Sequence, residues 1–380
     1  MTHAALADPK PGTWRDRWLA LRDRCLASPV FQRRASAFLL TRPTARRHAR
    51  ELFDLVAGFV YSQVLLACVQ LKLFEILAES PHTLQRLAER LALPTDATAR
   101  LLAAAVSLRL VEHRSGGRYG LGELGAPMVG NRAVAAMVEH HAALYADLAD
   151  PVALLRGAGD GQGALARYWP YADAHAPSGL TRERVAPYSV LMAASQPLVA
   201  DEITDAYDLR RHRCLLDVGG GDGSFLAAAA LRAPSLQLKL FDLPAVAERA
   251  REQFQSRGLT QRASTFGGSF LTDALPEGAD VASLVRVIHD HDDAAAMTIL
   301  RAVRKALPAH GCLLLAEPMS GTRGAEPMGD AYFGFYLLAM GKGRPRSAAE
   351  LMAMLRAAGF TKPRLLPTRM PLQTQLIVAR

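Results

Sequence analysis

The sequence predicts an α/β protein: a mostly parallel, doubly wound sheet in the C-terminal half, behind a helical N-terminal domain closed by a small hairpin wing. Three observations carry this. From residue 213 onward, short apolar runs alternate with segments of helical period, the pattern that builds a parallel sheet with helices on both faces. The first of these runs passes through a glycine-rich turn, "DVGGGDG" (217–223), into a helix. Upstream, residues 51–130 read as successive helices that end in "LVEHRSGGRYGLG" (110–122), a strand, a Gly-Gly turn and a strand.

The chain has 380 residues and is 50% hydrophobic, enough to bury more than one core, and general disorder is excluded on the same ground. Cys25, Cys68, Cys214 and Cys312 lie far apart with no CxxC pair. That spacing argues against a disulfide scaffold and a zinc module and fits a reducing cytoplasm.

The net charge of +9 is concentrated. Residues 1–50 carry eleven Lys/Arg against Asp8, Asp16 and Asp23, a balance of +8, whereas the remainder is nearly neutral. Within this arm Trp14, Trp18 and Leu21 recur at helical spacing beside Arg15, Arg17, Arg22 and Arg24. The pattern suits an amphipathic helix on an anionic membrane or a basic docking helix, with a solvated arm as the plainer alternative. No apolar segment follows the charges as a signal peptide requires. The longest uncharged run, Leu55–Leu71, falls short of the roughly 20 apolar residues that span a bilayer, and is expected as a buried helix.

In residues 51–130, Thr83 or Ser80 can cap a helix through Arg90, and Leu101, Leu102, Ala105 and Leu108 keep an apolar stripe. Helices followed by a wing invite a nucleic-acid reading. The segment that would read bases, Asp96–Leu110, offers only Arg100 and Arg109 on a surface of Ala and Leu, so it packs rather than reads, and no nucleic acid is expected. Residues 131–210 look helical and include the aromatic-rich stretches at 166–175 and 187–198. Residues 214–234 are expected as a buried strand, the glycine turn and a helix, with further strands at 236–244, 280–290, 311–319 and 373–380 and helices at Ala245–Arg257, Asp293–Leu307 and Ala348–Ala358. The expected organisation is a basic arm (1–50), a winged-helix-like domain (51–130), a helical connector with pocket helices (131–210) and a ligand-binding α/β domain (211–380).

The glycine turn sits where open α/β sheets bind ligands. A dinucleotide fingerprint counted from Gly219 would need Gly or Ala where Ser224 stands, and no GK[ST] phosphate loop is present. Asp217 on the first strand and Asp242 at the end of the second frame the turn, and a carboxylate at Asp242 can take both hydroxyls of a ribose. The combination favours an adenosine cofactor without a pyrophosphate, for which S-adenosylmethionine is the choice.

"VIHDHDD" (287–293) leaves a strand at the same edge, and His289 is the side chain best suited to proton abstraction near neutral pH. Glu317 ends the following strand and can fix the imidazole tautomer. Asp290, His291, Asp292 and Asp293 also suggest a metal, yet contiguous loop residues cannot all converge on one ion and some must cap the next helix, so a base is favoured and no metal is expected. His140 and His141 could line a pocket or be satisfied between helices, and "PMGDAYFGFYLLAM" (327–340) could be core or a pocket for a long apolar substrate.

Taken in order and spacing, "LLDVGGGDG", "FDLP", "GGSF", "RVIHDHDD" and "RSAAELMAMLRAAGF" resemble the class I S-adenosylmethionine-dependent O-methyltransferases of the caffeate-methyltransferase type, over about residues 50–380. More narrowly, "LFDLVAGFVYSQVLLACVQLKLFEIL", "AAMVEHHAALYADLADPVALLRG" and "ARYWPYA" are similar to the carotenoid hydroxyl methyltransferases of spheroidene biosynthesis. The resemblance implies a Rossmann-like methyltransferase sheet and a winged-helix homodimerisation domain. It implies methyl transfer to the 1-hydroxyl of hydroxyneurosporene or demethylspheroidene, in a cytoplasmic protein that is peripheral to the membrane. It assigns the glycine motif to Gly219, Gly220, Gly221 and Gly223 and the ribose acid to Asp242, beside Leu243. His289 becomes the base, with Glu317 as its orienting acid and Asp290 next to it.

Three departures from the family stand out. Ser269 occupies a position where the family often has the Asp that contacts the adenine amino group, which leaves Phe270 and backbone for that task. Gly343 corresponds to the plant enzymes' second orienting Glu, and Arg286 is the nearest candidate for their ribose-contacting Lys. Alternatives to the carotenoid reading are a phenolic or polyketide hydroxyl as acceptor, and a non-enzymatic S-adenosylmethionine sensor.

Overall fold

The computed structural model describes residues 13–157, 163–168 and 195–380, and the chain divides into two compact units at Ala126/Pro127. The sequence-predicted aromatic stretches at 166–175 and 187–198 lie largely outside the described residues.

Among the described residues the first unit holds six α-helices, α1 (Trp14–Ala27), α2 (Pro29–Ala37), α3 (Arg42–Gln70), α4 (Leu73–Glu79), α5 (Leu84–Leu91) and α6 (Thr95–Ser107), and three short strands, β1 (His82–Thr83), β2 (Val111–Arg114) and β3 (Arg118–Leu121). The helix starts follow local chemistry. Thr13 and Asp16 form a reciprocal capping box on α1, and Thr83 caps α5 by accepting from the Arg86 N–H. The expected wing is present: β2 and β3 pair antiparallel around Gly116 and Gly117, and β1 adds to the other side of β3.

One expectation fails here. The run 55–71 lies in α3, which is 29 residues long, and only Cys68 of that helix is buried. Leu52, Phe53, Leu55, Val56, Phe59 and Val60 are exposed, Leu55 at 81%. By length and composition α3 could cross a membrane. Apolar residues without a partner among the described residues look the same in sequence as residues destined for a core. In the arm, Trp14 and Trp18 are likewise exposed, at 82% and 56%.

The second unit opens with α7 (Arg132–Asp147), α8 (Pro151–Leu155) and α9 (Ala164–Tyr168), and residues 195–206 are helical. The sheet domain then runs β4 (Cys214–Val218), α10 (Ser224–Arg232), β5 (Gln237–Asp242), α11 (Pro244–Ser256), β6 (Ala263–Gly267), β7 (Val281–Val285), α12 (Asp293–Ala306) and β8 (Cys312–Glu317). A π-helix (Pro327–Phe333), α13 (Gly334–Met340), α14 (Ala348–Ala357), β9 (Arg364–Leu366) and β10 (Gln375–Ala379) complete it. The seven strands lie in the order β6-β5-β4-β7-β8-β10-β9, all parallel except β10, which runs antiparallel to β8 and β9. β6 and β9 are the strands the sequence reading missed: "ASTFG" and "RLL" are partly exposed and lack an apolar run.

Every residue of β4, β7 and β8 is buried, as expected for parallel strands covered on both faces. Alternate residues feed two cores. Leu216, Leu284 and Leu315 join α12 and α14 on one face, and Leu215, Val285 and Leu314 join α10 and α11 on the other. This double burial fixes the strand register. The register brings the C-terminal ends of β4, β5, β7 and β8 to one edge.

Candidate active site

Two buried carboxyl groups frame the glycine turn. Asp217, next to last in β4, is 1% exposed; its Oδ1 accepts the Ser283 Oγ–H at 2.6 Å, and its Oδ2 is buried with no hydrogen-bond partner among the described residues. Asp242 accepts the Gly221 N–H on Oδ2 at 2.8 Å and the Leu243 N–H on Oδ1 at 2.7 Å. Burial pushes the Asp217 carboxyl up to about 7; the Ser283 hydrogen bond opposes the rise and the Asp242 charge adds to it. Burial also raises Asp242, against the two backbone hydrogen bonds. Neither acid has a Lys or Arg ion-pair partner among the described residues.

This donor set fits S-adenosylmethionine. Two desolvated acids short of positive charge suit a cationic ligand, and an orphaned carboxylate oxygen together with Asp242 suits hydroxyl and amino donors. Gly219 is needed for its bareness: φ is +72°, and a Cβ there would stand 2.8 Å from a Val287 methyl. Asp242→Asn keeps one acceptor for the turn but loses the charge. It is expected to weaken S-adenosylmethionine binding about 10- to 100-fold by calorimetry, and wild-type affinity would remove Asp242 from the ribose role.

The second group is built on the loop after β7. Arg286 leaves the strand in left-handed backbone (φ +57°), a strained conformation of the kind that clusters at functional sites, and a 3-10 turn over Ile288–Asp290 follows. His289 is buried. Glu317, at the end of the neighbouring β8, accepts the Val287 and Ile288 N–H groups on Oε1 at 3.0 and 2.7 Å, and its Oε2 meets His289 Nδ1. Asp290 Oδ1 stands 2.9 Å from Nε2. Burial alone would lower the imidazole pKa, but the Asp290 and Glu317 carboxylates outweigh it and raise it to about 10. Asp292 caps α12 through the Ala295 N–H at 2.8 Å, and Asp293 pairs with Arg344 and Arg346, so these two acids serve the loop's structure. His291 is pushed down by burial and meets Phe270 edge-on at 5.4 Å.

The remaining sequence-predicted residues fall around these two groups. Phe270 sits beside Gly219, and Ser269 is held in a turn in which its N–H donates to Asp273 at 2.8 Å. Arg286 extends to Ser195 Oγ at 2.7 Å and to the Gln196 side-chain amide oxygen Oε1. Gly343 has no side chain to offer the imidazole and could not carry one, since a Cβ would stand 2.2 Å from the His289 carbonyl oxygen. The carboxylate at Nε2 comes instead from Asp290.

His140 and His141 are satisfied between helices, by Tyr336 and Tyr332 respectively, both at 2.8 Å. Burial lowers both histidines and raises the Tyr332 phenol, which keeps this cluster neutral. Phe333, on the π-helix, brings its ring to 5.8 Å from His289, with Tyr332 and Tyr336 behind it. Sequence reasoning missed Ser283, although a lone hydroxyl in the apolar run "VASLV" was a usable signal. It also missed Arg346, for which no local signal existed.

Comparison with known proteins gives the family. Residues 145–361 match the O-methyltransferase domain family and residues 53–131 the O-methyltransferase dimerisation domain. The chain is 43% identical to the demethylspheroidene O-methyltransferase of Cereibacter sphaeroides, covering 94% of this chain and 93% of that protein. It is also 43% identical to the protein of that name from Rhodobacter capsulatus, over 90% and 84%. Among solved structures, CalO1, a methyltransferase in calicheamicin biosynthesis with S-adenosylhomocysteine bound, superposes with a TM-score of 0.69 at 26% identity, covering 88% of this chain and 98% of that one. Human N-acetylserotonin methyltransferase shares the fold, with a TM-score of 0.70 at 24% identity, over 88% and 97%. The chain therefore belongs to the O-methyltransferase domain family and is an S-adenosylmethionine-dependent O-methyltransferase that carries the family's dimerisation domain.

Proposed function

We propose that this enzyme methylates the 1-hydroxyl of a hydroxylated acyclic carotenoid of the hydroxyneurosporene or demethylspheroidene type, with His289 as general base. The observation that carries the proposal is the 43% identity to two demethylspheroidene O-methyltransferases across nearly the whole chain. The neutral aromatic group beside His289 supports it, because Phe333, Tyr332 and Tyr336 present flat apolar surface suited to a polyene.

S-adenosylmethionine supplies the electrophilic methyl group. Glu317 holds the Nδ1 proton of His289, and Nε2, which faces Asp290 Oδ1, would take the hydroxyl proton of the acceptor once it has lost its own at alkaline pH. A tertiary alcohol is far less acidic than a phenol of pKa about 10, so proton removal must accompany methyl transfer. Carboxylates on both sides of the ring strengthen it as a base and stabilise the imidazolium that results.

The test is mass spectrometry of products from purified enzyme, labelled S-adenosylmethionine and detergent-dispersed 1-hydroxyneurosporene, with a catechol control. Label in the carotenoid is expected; label only in the catechol would move the acceptor to the phenolic class.

The basic arm supports a peripheral, cytoplasmic-side contact with anionic lipid, through which so apolar an acceptor would be collected. On α1, Trp14, Trp18 and Leu21 form one exposed stripe with arginines on both flanks. Removing residues 1–45 is expected to abolish co-sedimentation with vesicles containing phosphatidylglycerol, and unchanged sedimentation would discard the contact.

A further inference from the structure

We propose that the segment Gly343–Arg346 is a positioning device for the catalytic loop, and that Arg346 is the residue that fixes His289 against Glu317 without touching the imidazole itself. The inference rests on His289 being the base.

Arg346 is 2% exposed, a rare state for an arginine and one that requires its donors to be used. Nη1 donates to the Ile288 carbonyl at 2.8 Å and Nη2 to the His291 carbonyl at 2.8 Å, while Nε and Nη2 both reach Asp293 Oδ1, at 2.9 and 2.7 Å. The carbonyl between these, that of His289, accepts the Arg344 N–H at 2.9 Å. Gly343, in left-handed backbone at φ +82°, permits that approach, because any side chain would meet the His289 oxygen. Three carbonyls of the 288–291 turn are thus fastened by two residues of this segment, Arg344 and Arg346.

The other end of the segment is tied to the strand that carries the acid. The Ser320 N–H donates to the Arg346 carbonyl at 3.1 Å, and Ser320 and Ser347 form a parallel bridge, three residues beyond Glu317. The segment therefore spans the two chain pieces that supply the two sides of the His289–Glu317 hydrogen bond and sets their separation. Charge balance for Asp293 does not account for this arrangement. That carboxylate is largely exposed and is already paired with Arg344, so a second, fully buried arginine is not required for it.

Lysine at this position keeps the charge but cannot form the planar fork. Arg346→Lys is expected to leave KM for S-adenosylmethionine within about twofold while lowering the high-pH limit of kcat about 10- to 100-fold. The pH midpoint of kcat should move down as the ring drifts from its carboxylates. Asp293→Asn removes an exposed anchor of Arg346 and should show the same two changes in smaller measure, so the inference remains testable if Arg346→Lys does not fold. Wild-type kcat and midpoint in a folded variant would reduce Arg346 to packing and overturn the inference. Failure of the underlying base assignment is read separately, as retained turnover in His289→Ala.

Discussion

Replacing His289 with alanine is expected to lower kcat by about 10²- to 10⁴-fold, the usual contribution of a positioned base, and to leave S-adenosylmethionine affinity near wild type. The separation follows from the architecture. Cofactor contacts are proposed at the ends of β4 and β5, whereas His289, the proposed base, stands beyond β7, held by Glu317 from β8. Calorimetry beside steady-state kinetics measures the two quantities independently, and near-normal turnover would end the assignment.

The wild-type pH profile carries the same information. With its pKa raised to about 10, His289 holds a proton at neutral pH and becomes a base only as pH rises, so kcat should climb through the alkaline range. Stability runs the other way. A raised folded-state pKa stabilises the native protein fully below the unfolded value of about 6.5, and that stabilisation is lost as pH rises through about 10. The thermal midpoint of the wild type should therefore lead that of His289→Ala most clearly below neutrality, and the lead should shrink in alkali.

Glu317→Ala is expected to act on both fold and turnover. It leaves the Val287 and Ile288 N–H groups and a buried imidazole without their acceptor, and loss of one partner from such a buried pair costs about 3–5 kcal/mol. Glu317→Gln separates the two effects. An amide can still accept from the backbone through its oxygen, but its NH2 then faces Nδ1 and forces the ring proton onto Nε2, the nitrogen that must accept the substrate proton. Glutamine should therefore recover most of the thermal stability and little of the activity. Alanine and glutamine variants with equal turnover losses and equal melting temperatures would contradict this division.

Much of the site was legible because its residues sit at strand ends, where pattern alone locates them. The glycine turn, Asp242, His289 and Glu317 each follow or close an apolar run, and parallel topology then brings those ends to one edge. Partners arriving from distant segments were not legible. Nothing near Arg346 announces that its guanidinium lies under a turn more than fifty residues earlier in the chain, and Gly343 reads as an ordinary loop glycine until the His289 carbonyl is placed against it. α3 was misread for a different reason: composition reports that a surface avoids water, and it does not report which molecule covers that surface.

The antiparallel β10 has a consequence for how the active site comes into being. Gln375 pairs with Glu317 and Leu376 with Ala316, so the strand that holds Glu317 against His289 is an edge until β10 slots in between it and β9. That slot is filled only by a segment translated after the π-helix, α13, α14 and β9. Closure of so large a loop is entropically slow, and the orienting carboxylate should be among the last groups to reach its native environment during folding. A nascent or truncated chain lacking β10 would present an unpaired apolar β8, a template for aggregation, before it could place Glu317 against His289.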